Sequence, residues 1–440
     1  MRPKGLLIAV AVLALLGGLI WWSNKKQAAS PAKPATDTTT KLLTISDDQF
    51  QEIRIKKLTG EVEDLKRENG KWRLVEPKPL AADQDTVGSI VSTLGALTAD
   101  KTIEPNAADL AAYGLNIPTL DITITKKDGK TAEALVGDST PTNSGAYAKL
   151  AGDPRVFTVA SYVKTSLDKS VNDLRDKRLL TFDSDKLTRV QLTAKGPAIE
   201  FGKNGQNEWQ VLKPRPLRAD SSQVEALVSK LRDARMDPAV TDEDAKKAAA
   251  AFASGTKVAV AVLSDNSGDQ TLDVRKDKDK NYYARSSVVE GEFKVPADIG
   301  DATDKGLDDF RNKKLFDFGF SDPTKVELKA VTYTKSGDKW MAGAKTMDNS
   351  SVQLLVDKLR DLAATKFPDK GAGDVVFEAT VTSNTGKRVE KATVRKQGTE
   401  YFAQREGEPS IYELDGKAVD DLLKAASDVK EAAPEPAKKK

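Results

Sequence analysis

The sequence contains no cysteine and no histidine, and these absences narrow its chemistry more than any motif it carries. Without thiols there are no disulfides, no thiolate nucleophiles and no Cys/His zinc sites. Without imidazole there is no Ser-His-Asp or Cys-His arrangement, because the base is missing. A lipid-modified N-terminal cysteine is excluded as well, and a thiol-free chain is compatible with an oxidising compartment. An excess of one charge is also lacking: 69 Lys+Arg face 66 Asp+Glu, a net charge of +3. That near balance gives no basic footprint for nucleic acid. The rest is a well-solvated globular composition, 39% hydrophobic and 31% charged, and 440 residues suggest about two to four domains.

One long uncharged run stands at the N-terminus. Gly5 to Trp22 (GLLIAVAVLALLGGLIWW) is 18 residues, about 27 Å as a helix, close to the hydrocarbon thickness of a bilayer. Arg2 and Lys4 precede it, Trp21 and Trp22 sit where an interfacial aromatic belt belongs, and Lys25 and Lys26 follow. No A-x-A cleavage pattern closes the run, and Ala28, Ala29 and Ser30 lie beyond the two lysines. Residues 1–24 therefore read as an uncleaved transmembrane anchor and 25–40 as a flexible linker. The end, 429–440, reads as a disordered tail. The expected topology is single-pass in the inner (cytoplasmic) membrane, with the C-terminal region extracytoplasmic, in the periplasm.

Between linker and tail the chain repeats itself. KLLTISDD at Lys41, RLLTFDSD at Arg178 and KLFDFGFSD at Lys314 correspond. Ile53, Val190 and Val326 are separated by 190 − 53 = 137 and 326 − 190 = 136 residues. Trp72, Trp209 and Trp340 follow nearly the same period, each in a strand after a Gly, Asn or Asp turn. A helix follows each Trp, with Asp83, Asp220 and Asp348 as N-caps. Its apolar positions recur at i, i+3, i+4 and i+7: Val87, Ile90, Val91 and Leu94, then Val224, Leu227, Val228 and Leu231, then Val352, Leu355, Val356 and Leu359. That stripe is sufficient to pin the helix to a sheet. The second half of each copy is strand-rich, and a closing helix follows, marked by Val163, Leu167, Val171 and Leu174. Ile299, Leu307 and Phe310 fall 136 residues after Val163, Val171 and Leu174.

The unit thus reads βββ–α–ββββ–α. Short turns make its strands antiparallel, so the fold class is α+β: three tandem repeats of an antiparallel-sheet-plus-helices unit after one N-terminal transmembrane helix. The repeats divide at 41–177, 178–313 and 314–428. The middle one carries an extra surface helix near Thr241–Ala253. The third is shorter, with a weaker closing helix.

Several motifs have both a chemical and a structural reading. Ser161-x-x-Lys164, Ser264-Asp265-Asn266 and Lys335-Ser336-Gly337 stand in the chain order of serine β-lactamases, in which a lysine activates a serine without histidine. The repeat argues against it: the fragments lie in three different copies, two of them at hairpin turns, and Ser166-x-x-Lys169 matches as well. Asp277-x-Asp279-x-Asn281 lacks the Gly and Glu of a calcium loop, which are Tyr282 and Val288 here. The three tryptophans suit core packing better than sugar stacking. Pro77-Lys78-Pro79 and Pro214-Arg215-Pro216 stiffen a strand-to-helix link. No catalytic, cofactor-binding or metal-ligating residue is assigned.

The anchor, the Gly70–Trp72 strand with Pro79-Leu80-x-Ala82-Asp83, and their second occurrence at Trp209 with Pro216-Leu217-x-Ala219-Asp220 resemble the domain-of-unknown-function 4340 family of bacterial membrane-anchored extracytoplasmic proteins. Members of that family are often encoded beside ABC transporter components. The resemblance therefore implies an accessory role by association and supplies no catalytic residue. The expected function is a non-enzymatic accessory or scaffold protein associated with an ABC-type transport system, with the membrane and membrane proteins as partners. The alternative is a cell-envelope module that binds peptidoglycan or polysaccharide.

Overall fold

The computed structural model describes residues 40–237, 241–319 and 323–433. The run Gly5–Trp22 and nearly all of the linker lie outside the described residues, as does the tail from Pro434. Among the described residues no helix is long and apolar enough to cross a membrane.

The fold is α+β, with three large antiparallel sheets of nine, eight and nine strands. Across the first sheet the strands run Leu80–Ala81, Lys71–Glu76, Val62–Glu68, Phe50–Lys57, Leu120–Lys126, Thr131–Ser139, Gly145–Leu150, Val156–Ala160 and Lys101–Glu104. The second and third sheets follow the same order, except that among the described residues the second ends at Glu292–Val295, with a single bridge from Asp237 to Lys294 beyond it. In each, the first strand of the copy is central, because the second half of the copy pairs back onto it: Ile53 faces Ile124, Val190 faces Leu263 and Val326 faces Val381. Compact packing divides the chain once, between Asp176 and Lys177, so the second and third sheets share one compact unit.

The tryptophan strands and first helices form as their sequences direct. Asp83 caps Gln84–Gly95 through the Thr86 amide, Asp220 caps Ser221–Arg232 through Ser222 and Gln223, and Asp348 caps Asn349–Asp361 through Ser351. The buried residues of these helices include every position of the apolar stripes. Each stripe packs on the inner face of its sheet beside its tryptophan, and the tryptophans are 6%, 5% and 3% exposed. They are core residues. Glu76–Pro77 and Lys213–Pro214 are cis peptides at equivalent places before the first two helices.

The closing helix differs from expectation. In the first copy it is two pieces, Ser161–Leu167 and Val171–Leu174, and in the second again two, Ala297–Thr303 and Leu307–Phe310. Ser170 explains the first break: it forms a capping box with Asp173 and restarts the helix. A lysine at the end of the first strand region holds each break. Lys57 donates to the Lys169 carbonyl at 2.7 Å, and Lys195 to the Asp304 carbonyl at 2.8 Å. In the third copy the helix Gly416–Ser427 is continuous. The residues in the corresponding place are Leu423, Lys424 and Ala425, which favour helix. The third closing helix is therefore the most regular of the three. Beyond it, Glu431 pairs with Met347, and Ala432 donates to the Thr346 carbonyl, satisfying the short edge strand Lys345–Thr346. The extra helix of the middle copy runs Asp242–Ser254, opened by a Thr241/Asp244 capping box. Its Phe252 is buried, with the Arg275 and Arg285 guanidinium groups 4.4 and 5.1 Å from the ring centre.

Candidate functional site in a charged junction between the second and third sheets

A network of buried and partly buried charges lies within the second compact unit, where the second sheet meets the third. It is built around the short strand Leu217–Arg218, an edge of the second sheet. The Arg218 carbonyl accepts from the Asn312 amide, which ties this edge to the chain leaving the closing helix. The Arg218 side chain then leaves its own sheet. Its Nε lies 2.7 Å from Glu408 Oε1. One terminal nitrogen donates to the Lys314 carbonyl at 2.5 Å and to the Tyr412 hydroxyl at 3.0 Å. The other lies 3.8 Å from the Asp317 carboxylate.

The groups that receive Arg218 are already bound to one another. Glu408 also accepts from Arg405 Nε and from the Tyr412 hydroxyl, both at 2.7 Å. Arg405 reaches Glu390 at 3.0 Å and donates to the Leu315 carbonyl. Both Glu390 oxygens accept from the Asp317 amide at 3.0 Å. Beside this chain, Arg311 donates to Ser410 Oγ at 2.9 Å, and its guanidinium stacks on Phe367 at 3.5 Å. Arg388 joins Glu208, in the hairpin turn before Trp209, at 2.6 Å. Planar guanidinium forks suit such multiple acceptors.

The electrostatics follow the geometry. Burial alone would lower the Arg218 pKa, but Tyr412, Glu408 and Asp317 outweigh it and hold the group above the usual arginine value. Burial pushes the Tyr412 phenol up, with Glu408 adding to the rise and Arg218 opposing it. Arg311 is shifted down, chiefly by burial, with Asp308 opposing.

Strand register shows that part of this junction is a repeated device. Glu390 stands two residues before Ala392, which faces Arg405. Gln270 stands two before Leu272, which faces Ser286. Gln270 accepts from the Thr181 amide at 2.8 Å, and Ser286 donates to the Leu179 carbonyl. The second and third copies thus clasp the start of the copy with a polar pair, neutral in one and charged in the other. In the first copy the same positions are Ala132 and Leu150, since Leu150 faces Ala134. There no polar pair stands at these positions: Leu42, Leu97, Ala134, Ala148 and Leu150 border an apolar recess, and the Leu42 and Leu43 amides donate to the Leu97 carbonyl.

A second constellation occurs twice. The Lys276 ammonium lies 3.0 Å from the Tyr282 hydroxyl, which bonds Asp301 at 3.1 Å. Lys396 lies 4.8 Å from the Tyr401 ring centre, and the Tyr401 hydroxyl bonds Asp420 at 2.6 Å. Both tyrosines are buried, and each ties a strand to the closing helix.

The motifs singled out in the sequence are not gathered into a centre by the junction. Lys164 donates to the Gly137 carbonyl at 3.0 Å and to Thr119 Oγ1 at 3.3 Å. Ser264 donates to Asp269 within its own hairpin at 2.6 Å. Lys335 and Ser336 end a strand of the third sheet before the Gly337 turn. Asp277 accepts from the Asn281 amide at 2.8 Å and closes a tight turn. Pro77–Pro79 and Pro214–Pro216 are exposed. The described residues contain no group of three or more carboxylates able to hold a metal ion. Sequence reasoning missed the junction because a lone arginine in a two-residue strand carries no periodic signal.

Fold and junction together define an α+β protein of repeated sheet-and-helix units. The chain belongs to the family described as domain of unknown function (DUF4340), which matches it over two overlapping stretches, residues 72–249 and 209–378. The two matches begin at equivalent tryptophans, Trp72 and Trp209, 209 − 72 = 137 residues apart, the period found in the sequence. No curated protein and no solved structure matches the chain.

Proposed function

We propose that the protein is a membrane-anchored extracytoplasmic accessory or scaffold subunit that works by contact with membrane partners, among them subunits of an ABC-type transport system. It works without catalysis. The observation that supports this reading most is the use made of the charged junction. Arg218, Glu408, Arg405 and Glu390 bind one another and backbone groups, so this charge is spent on joining two copies. Repeated units joined in this way give a large surface for binding. The uncharged run Gly5–Trp22 would confine that surface to the membrane plane and raise its effective concentration for membrane partners. The glycan-binding alternative needs aromatic rings free to stack, and Trp72, Trp209 and Trp340 are enclosed in cores.

Affinity purification of the full chain from detergent-solubilised membranes, followed by mass spectrometry, tests the reading. The expected result is recovery of ABC-type transport subunits in stoichiometric amounts. Recovery of cell-wall glycan without membrane proteins would favour the alternative and end the proposal.

A further inference from the structure

We infer that residues 35–39, the end of the linker next to the first copy, form a strand that pairs with the open edge of the first sheet at Lys101–Glu104. That strand is the last of its sheet. One side is bonded to Val156–Ala160, and no strand among the described residues pairs with the other. Lys101, Thr102 and Ile103 are exposed along it, Ile103 by 42%. An open edge carrying an apolar side chain is a template for an extended segment that reaches it.

The segment nearest to it belongs to this protein. The described chain begins at Thr40, and Thr40–Lys41 already runs antiparallel to Thr98–Ala99, with Thr40 facing Ala99. Thr98–Ala99 leads through Asp100 into Lys101–Glu104. Carried back from Thr40, the same register sets Thr38 opposite Lys101 and Thr36 opposite Ile103. Two residues further back it sets Pro34 opposite Pro105. Proline has no amide to donate, so both strands end at the same rung. Between these limits the linker reads Ala-Thr-Asp-Thr-Thr. Its threonines suit a strand, and Thr36 with Ile103 makes a β-branched cross-strand pair.

The third copy shows why the first differs. There the entering chain makes the equivalent contacts, Lys314 with Ala363 and the Lys313 carbonyl with the Ala364 amide. One residue earlier, Asn312 donates to the Arg218 carbonyl, which draws the chain away to the second sheet. Residues 25–39 belong to no repeat, so nothing in the pattern diverts them from Lys101–Glu104. The pairing leaves 25–34 as the free part of the linker and holds the first sheet closer to the run Gly5–Trp22. It stands apart from the scaffold reading and from any partner.

Paired cysteines test it, because the sequence has none of its own. T36C/I103C puts two thiols on one rung. D37C/I103C shifts one of them by a residue, to the opposite face of the strand. Each full-length variant is oxidised with diamide in detergent micelles, and its disulfides are mapped by mass spectrometry of unreduced peptides. T36C/I103C should close within one molecule at least about tenfold faster than D37C/I103C, because pairing raises the effective concentration of the aligned thiols alone. Adding T38P/T39P removes two adjacent amides, one of which faces the ladder, and should erase that preference. Equal rates for the two pairs, a preference that survives T38P/T39P, or disulfides formed mainly between two molecules would each overturn the inference, the last by showing that a second copy takes the edge.

Discussion

Glu63 is 2% exposed, and one of its carboxylate oxygens has no hydrogen-bond partner. The other lies 2.9 Å from the Lys57 ammonium. Burial pushes its pKa above the usual glutamate value, with Lys57 opposing. The folded first copy therefore takes up this proton at a higher pH than the unfolded chain does. Its contribution to stability is complete below the ordinary glutamate range and is lost as pH rises through the raised value. Asp153 acts in the opposite sense in a lower window. Arg155 draws it down to about 2, so its contribution is present above the ordinary aspartate range and is lost as pH falls toward that value. Asp64 is also raised, chiefly by burial and then by Glu52, so Glu63 supplies part of the upper-window decline. The urea midpoint of residues 40–176, read by pulse proteolysis of the full chain, should fall on going up from the glutamate range toward neutrality, and E63Q should flatten that fall. Identical profiles for wild type and variant would show that Glu63 does not titrate as described. Neither Glu63 nor Arg218 was legible in the sequence, where each is one of many charges in polar strands. The tryptophans were legible, because a large ring recurring at one place in a repeat has little reason to face water three times.

Helices were read more completely than sheets. Each first helix declares itself locally, through an aspartate cap and a 3.6-residue apolar stripe, and Asp220 accepts from the amides of Ser222 and Gln223 as that pattern requires. D220A should destabilise the second compact unit by about 1 kcal/mol, with D220N recovering most of the loss. Thermal melting that shows no change in D220A would remove capping as the reason for this helix start. The pairing of the first strand with the second half of its copy was not legible, because Ile53 and Ile124 meet through tertiary packing that no local pattern encodes. The break in the closing helix was hidden too. Val163, Leu167, Val171 and Leu174 keep helical spacing across it, and only the Ser170 capping box and the lysine from the first strand mark the interruption.

At the scale of the molecule, sequence and structure agree on an α+β fold with three antiparallel sheets and their helices, and family membership follows the same period. The grouping of copies was the part that periodicity could not supply. A period treats every boundary alike, whereas compact packing groups the second and third sheets. The central claim is that the protein acts by contact at its own membrane. Replacing residues 1–24 with a cleaved signal peptide would free the remaining chain while leaving its sheets intact. The measurement is the recovery of membrane partners, compared between anchored and released protein, alongside hydrogen exchange to confirm that the released copies are folded. The account predicts folded copies with partner recovery sharply reduced and function lost. A released protein that is folded and fully functional, or one that turns over a substrate alone, would contradict it.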